Sequence, residues 1–307
     1  MDLEGFKLDQ KLQSIINISF LFIIVLFVTA CQQAYENDDM SSLPDSTDFG
    51  SDPLTDENLN LLQSDENMDA SQFVLLGGPE SEVREPRPVS NNILQQKYSD
   101  ALVLRGSIHS NKVALSFDDG PDSRFTPHVL DVLDRHGVKA TFFMIGSRAK
   151  ELPELVKRIH ESGHAIGNHT YWHPNLPNEE LDRLHWEVTE TENVLEEIIG
   201  FKPNLFRAPY GALTEDIVQM LADLNFTIVG WDVDSLDWKQ QGAEVIQDNV
   251  LSNVGFGSII LMHDGGDWSM DLSGTAEALD EIIVRLKEDG TEFVTIPELV
   301  NVPKEKQ

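Results

Sequence analysis

Residues 112–122 read KVALSFDDGPD: an apolar run, Val113 to Phe117, stops at two adjacent carboxylates, Asp118 and Asp119, before Gly120 and Pro121 turn the chain. A short apolar run bounded by turn residues has the length and composition of a buried strand. Paired acids at the end of such a strand are a poor way to build a core. They suit the mouth of a pocket, where one carboxylate is a metal ligand and its neighbour stays free to move protons. The competing reading is that the pair only starts a turn or caps the next helix. The rest of the chain decides between the two.

Beyond Gly106, strand-like and helical stretches alternate on both sides of this segment. Val113–Phe117 precedes Pro127–His136, and Ala140–Ile145 precedes Pro153–Ser162. His164–Asn168 comes before the long amphipathic stretch Asn178–Ile199, and Asn204–Arg207 before Glu215–Leu224. Thr227–Trp231 leads to Ala243–Val254, Ser258–Met262 to Leu272–Glu288, and Glu292–Thr295 to a short helical tail. Seven strand candidates separated by helices predict an α/β fold with a parallel sheet, either a closed barrel or a doubly wound sheet. There is no internal repeat and no GxGxxG or GxxxxGKS loop, so no nucleotide site is expected.

Polar residues collect at one end of these strands. Asp118 and Asp119 follow the first, His169 the third, Arg207 the fourth, Asp234 and Asp237 the fifth, and His263 the sixth. In barrels and open α/β sheets alike, the carboxyl edge is where sites are built. His169 and His173 are four residues apart, a spacing that on a helical turn brings two imidazoles to one ion. With Asp119 they leave coordination positions open for water and substrate, as a catalytic metal site requires. Position 170 is Thr rather than the Glu of HExxH, so the general base must come from elsewhere.

SFDDG (116–120), HTYWH (169–173), RAPYG (207–211), DSLDW (234–238) and LMH (261–263) resemble, in order, the five motifs of the polysaccharide deacetylases, carbohydrate esterase family 4. Ser116 stands where Thr is common in that family. The resemblance covers roughly Gly106 to Val300 and implies a distorted (β/α)7 TIM-like barrel. It also implies Asp119, His169 and His173 as ligands of a metal, usually Zn2+, with Co2+ or Ni2+ as substitutes. By the same similarity Asp118 is the general base, held by Arg207, and His263 the general acid, oriented by Asp237. The backbone N–H of Tyr210 then helps form the oxyanion hole, while Trp238 and Leu261 wall the pocket for the acetyl methyl. On composition alone Trp238 and Leu261 read equally well as core, and Arg207 as an ordinary strand-end ion pair.

Upstream, Ile15 to Val28 is an apolar run of 14 residues broken only by Asn17 and Ser19, ending in Val28-Thr29-Ala30-Cys31. This is short for a membrane span and fits an export signal. Its end resembles the lipobox of bacterial lipoproteins, with Cys31, the single cysteine, as the lipidated residue. From Gln32 to Val83 there are thirteen acidic residues and no Lys or Arg, which reads as a self-repelling extended tether. One apolar island, Phe73–Leu76, interrupts it. The expected organisation is residues 1–30 as signal, 31–105 as a largely disordered acidic tether, 106–300 as the deacetylase domain and 301–307 as a polar tail. A net charge of −31, from 22 basic and 53 acidic residues, argues against nucleic acid as a partner.

Together these features predict an exported, lipid-anchored enzyme facing outward from the membrane. It would remove N-acetyl groups from an N-acetylhexosamine polymer, peptidoglycan or a chitin-like glycan. The rivals are an O-acetyl esterase of the xylan type on the same scaffold, and a lipoprotein that binds acetylated glycan without turning it over.

Overall fold

The computed structural model describes residues 91–306 together with Leu75 and Gly78. Cys31, the apolar run before it and nearly all of the acidic stretch lie outside the described residues. Among these described residues nine strands form one sheet: β1 (Leu102–Val103), β2 (Lys112–Gly120), β3 (Thr141–Met144), β4 (Ala165–Asn168), β5 (Leu205–Phe206), β6 (Thr227–Val229), β7 (Val233–Asp234), β8 (Ile259–His263) and β9 (Glu292–Phe293). The order is β1-β6-β5-β4-β3-β2-β8-β7, every pair in it is parallel, and β9 adds to the amino-terminal end of β2. This is the strand succession of a distorted (β/α) barrel whose ladder stays open between β1 and β7. It settles the choice against a doubly wound sheet.

All seven expected strands are present, with shifted ends, and β1 and β7 are additional. β1 and the helix Asn91–Lys97 fall in the stretch read as tether, so the ordered chain begins ahead of Gly106. Two-residue strands carry too little periodicity to be seen in a sequence. β2 also runs on through Asp118 and Asp119 instead of stopping at them, with a register shift between Asp118 and Gly120 and Asp119 at φ 70.

Period-two alternation sorts the strand residues onto two faces. Leu115 and Phe117 of β2, Phe142 and Met144 of β3, and Ile260 and Met262 of β8 join one cluster with Val129, Leu130 and Leu133 of the helix Thr126–His136 and Leu279, Ile282 and Ile283 of the helix Ser273–Glu288. Ala114, Phe143 and Ile259 belong to the opposite face, where Ile296 and Leu299 of the carboxy-terminal helix Ile296–Val300 close the bottom. That face is therefore the inner one, and Ser116, Asp118, Leu261 and His263 share its parity. Helix boundaries follow local chemistry: Pro127 opens the helix Thr126–His136 and left-handed Gly137 ends it, while Thr295 and Glu298 form a capping box on the last helix.

Gly167 on β4 leaves room for the Phe143 ring, against whose other neighbours the site is built; a Cβ there would lie 2.5 Å from the ring. Gly167→Val should therefore cost about 1–3 kcal/mol in chemical denaturation, the usual range for overpacking. Native stability in that variant would show that the ring is free to move.

Candidate active site

The inner face of β2 ends in Asp118, whose register partner on β8 is His263. Two groups 145 positions apart in the chain are thus paired across adjacent strands. On the other side of Asp118 stands Arg207, directly after β5. Its Nη1 donates to Asp118 Oδ1 at 2.7 Å and to Ser116 Oγ at 2.9 Å, and Nε and Nη2 donate to the carbonyls of Val229 and Gly230. The guanidinium stacks on Phe143, 4.1 Å from the ring centroid, and has no exposed surface. The serine found at position 116 thus supplies a hydroxyl to this network.

His263 and Asp237 form a second pair. Asp237 Oδ1 lies 2.7 Å from His263 Nδ1, and Oδ2 accepts the His263 backbone N–H and the Thr275 hydroxyl, both at 2.8 Å. Burial pushes the Asp237 pKa up, but His263 and these donors outweigh it and hold the carboxyl below its ordinary value. Trp238, next in sequence, is buried against Phe125, Met270 and Leu272 and donates its Nε1–H to Asp234. Leu261 is fully buried on β8. Asp234 also caps the Leu236 N–H, so it organises the 234–238 turn.

Asp119, His169 and His173 converge on one point: a ligand atom from each lies within 4.8 Å of the others. His169 Nε2 is 3.3 Å and His173 Nε2 3.0 Å from Asp119 Oδ1. All three residues are buried, and among the described residues neither Asp119 Oδ1 nor His173 Nε2 has a hydrogen-bond partner. Buried polar atoms left unsatisfied are costly, so this donor set fits a divalent cation on its own geometry. Each imidazole is oriented from behind, His169 by its Nδ1 on the Arg207 carbonyl at 2.8 Å and His173 by its Nδ1 near the Tyr210 hydroxyl at 3.0 Å. Burial raises the Asp119 pKa less than the two histidines lower it, and the carboxyl sits well below its usual range. His169 shifts upward, because Asp118 and Asp119 outweigh its burial.

The two histidines do not share a helical turn, as their spacing suggested. Residues 169–173 form a loop with Thr170 at φ 67 and His173 at φ 58. The backbone there leaves the regular regions, so it needs outside support. The helix Leu181–Ile199 gives it: Glu187 Oε2 accepts the N–H groups of both Tyr171 and Trp172 at 2.8 Å, and Arg183 pairs with Oε1. Asn168 accepts the Thr170 N–H and donates to the Val188 carbonyl. The same logic holds Asp119, whose carbonyl accepts from buried Arg148 at 2.7 Å.

Glu187, Arg148 and Asp264 were not singled out by the sequence. Glu187 lies on a helix among other acids, and Asp264 simply follows a histidine, so neither carries a pattern that announces burial. Asp264 is enclosed: its N–H donates to the Asp118 carbonyl, Oδ2 accepts the Thr126 hydroxyl, and Oδ1 has no partner. Burial, opposed by the Thr126 hydrogen bond and aided by Asp122, Asp119 and Asp118, pushes its pKa up to about 7.

Residues 105–229 match the family model described as polysaccharide deacetylase. A peptidoglycan-N-acetylglucosamine deacetylase of Bacillus cereus is 44% identical over 214 residues, 69% of this chain and 76% of that protein. The peptidoglycan-N-acetylglucosamine deacetylase PgdA of Listeria monocytogenes is 40% identical over 62% of this chain, which spans 39% of that longer protein. The crystallised Bc1960 peptidoglycan N-acetylglucosamine deacetylase superposes with a TM-score of 0.67 at 43% identity, covering 71% of this chain and all of that one.

Asp264 gives a pH test. An acid whose folded pKa is raised keeps a proton that the unfolded chain releases, so stability falls as pH rises from 3.8 to about 7. Asp264→Asn is neutral throughout and should remove that part of the slope. In the metal-free chain, urea midpoints at pH 5 and pH 8 should lie closer together in the variant than in the native protein. An unchanged gap would show that Asp264 ionises normally.

Proposed function

The chain belongs to the polysaccharide deacetylase family, carbohydrate esterase family 4, and on that premise we propose that it hydrolyses N-acetyl groups of peptidoglycan, at the N-acetylglucosamine residues that the Bacillus cereus and Listeria monocytogenes relatives are named for. The observation carrying this reading is the side-by-side arrangement of two kinds of carboxylate. One, Asp119, faces two imidazoles; the other, Asp118, is held by Arg207 and lies in register with a third imidazole.

In this reading Asp119, His169 and His173 hold a divalent metal, Zn2+ by preference. Bound there it supplies Lewis-acid chemistry, polarising an acetamide carbonyl and bringing the pKa of water towards ~7. Asp118 takes a proton from the attacking water as its oxygen bonds to the carbonyl carbon. Arg207 keeps Asp118 aimed, through the hydrogen bond that its Nη1 donates to Asp118 Oδ1 at 2.7 Å. The Tyr210 backbone N–H stabilises the developing oxyanion, a contribution of ~3–4 kcal/mol for a fixed donor. The C–N bond then breaks as His263, paired with Asp237, delivers a proton to the amine nitrogen, which is a poor leaving group without it. Acetate and a free amino sugar result. Trp238 and Leu261 receive the acetyl methyl.

An envelope location agrees with this substrate. The further step, a lipid on Cys31 holding the enzyme to the membrane, rests on the lipobox-like sequence; among the described residues no helix is long and apolar enough to cross a membrane. The arrangement of base, acid and ligand set favours catalysis over mere glycan binding, which has no use for all three.

Acetate release should be seen from peptidoglycan, more weakly from chitin oligomers and least from acetylxylan, and a chelator should stop it. Asp118→Asn should lower kcat by at least ~10²-fold, the lower end for a general base, and retain the metal. His173→Ala should lose metal and activity together. Full activity of Asp118→Asn would overturn the role given to it, and preference for acetylxylan would favour the esterase reading.

A further inference from the structure

Two residues from upstream of the barrel lie against the rim of the site. Leu75 is 1% exposed and packs on Ile145 and Trp172, the residue before His173. Its carbonyl accepts the N–H of Gly78 at 2.9 Å, and Gly78 stands at φ 89. The Gly78 carbonyl in turn accepts the Tyr210 hydroxyl at 2.7 Å. That same hydroxyl stands 3.0 Å from His173 Nδ1, with the two rings edge to face.

An imidazole offers Nε2 to a metal only when that nitrogen carries no hydrogen. Nδ1 must then carry it and needs an acceptor. For His169 the acceptor is the Arg207 carbonyl, which has no hydrogen of its own, so the tautomer is fixed. For His173 the partner is a hydroxyl, which either donates or accepts. A hydroxyl has one hydrogen, and here the Gly78 carbonyl takes it. The Tyr210 oxygen is thereby left to accept from His173, and Nε2 faces Asp119 with its lone pair.

We infer that the hydrogen-bonded pair Leu75 and Gly78 is a positioning element of the catalytic site: it directs the Tyr210 hydroxyl and, through it, sets the tautomer of His173. The inference rests on reading His173 as a metal ligand. It gives the apolar island in the acidic segment a purpose: Leu75 is the anchor that keeps the Gly78 carbonyl on Tyr210. Leu75 and Gly78 are then part of the enzyme's working unit.

The test is Zn2+ affinity of the full chain, measured by competition with a chromophoric chelator and without substrate. Leu75→Asp should undock the anchor and weaken Zn2+ binding by ~10-fold, the lower end of what lost support behind a metal-bound histidine costs. Gly78→Val, which strains the positive φ without touching the apolar contact, should do the same. Tyr210→Phe should weaken binding at least as much, and the double variant Leu75→Asp/Tyr210→Phe no more than Tyr210→Phe alone, because both act through one hydroxyl. The thermal midpoint of the metal-free variants should stay close to that of the native chain. Native Zn2+ affinity in Leu75→Asp and Gly78→Val, or additive losses in the double variant, would overturn the inference. Faster turnover of Leu75→Asp at saturating Zn2+ with unchanged affinity would also overturn it, by showing a cover over the site. Tight Zn2+ binding with no acetate released from any substrate would instead sink the deacetylase reading.

Discussion

A guanidinium with no access to solvent lies inside the barrel mouth, and the site is arranged around satisfying it. Arg207 has its charge matched by Asp118, three further N–H groups matched by Ser116 and two carbonyls, and its face covered by Phe143. A buried charge short of such partners costs several kcal/mol. The network that removes this cost also holds the Asp118 carboxylate from one side, and it leaves the Arg207 carbonyl to orient His169. One residue after β5 therefore governs the base and a metal ligand at once.

Around that centre the protein concentrates buried carboxylates: Asp118, Asp119, Asp122, Asp237 and Asp264 all lie within the folded interior. Each is answered differently. Asp118 has Arg207, Asp237 has His263 and Thr275, and Asp122 has Arg124 and Arg148. Asp264 has the Thr126 hydroxyl, and burial drives it towards its neutral form. Asp119 has the two histidines, with Oδ1 unsatisfied among the described residues, and so the arrangement itself points to a cation at that place. Differences in partner, rather than in residue type, give five aspartates distinct behaviour.

Support for the site comes from outside the five motifs. Glu187 gathers two N–H groups of the loop between the histidines, Arg148 holds the Asp119 carbonyl, and Thr275 steadies Asp237. These residues sit on helices, among neighbours that form no recognisable motif. Their contribution comes from distant contacts, which single-chain patterns do not record.

The sequence by itself determined the α/β class, the long helices and the collection of reactive side chains at strand ends, because hydrophobic period and turn residues are local signals. It also pointed to every member of the Asp119–His169–His173 cluster and to the Asp118–Arg207 and Asp237–His263 pairs. Only the tertiary structure decided that the sheet curls as an open barrel, that β2 continues through its two acids, and that the HxxxH spacing is realised on a loop. Only it brought Asp118 opposite His263, and Leu75 and Gly78 beside Tyr210. Register between strands and the docking of distant segments depend on contacts between residues far apart in the chain, and no local pattern encodes those contacts.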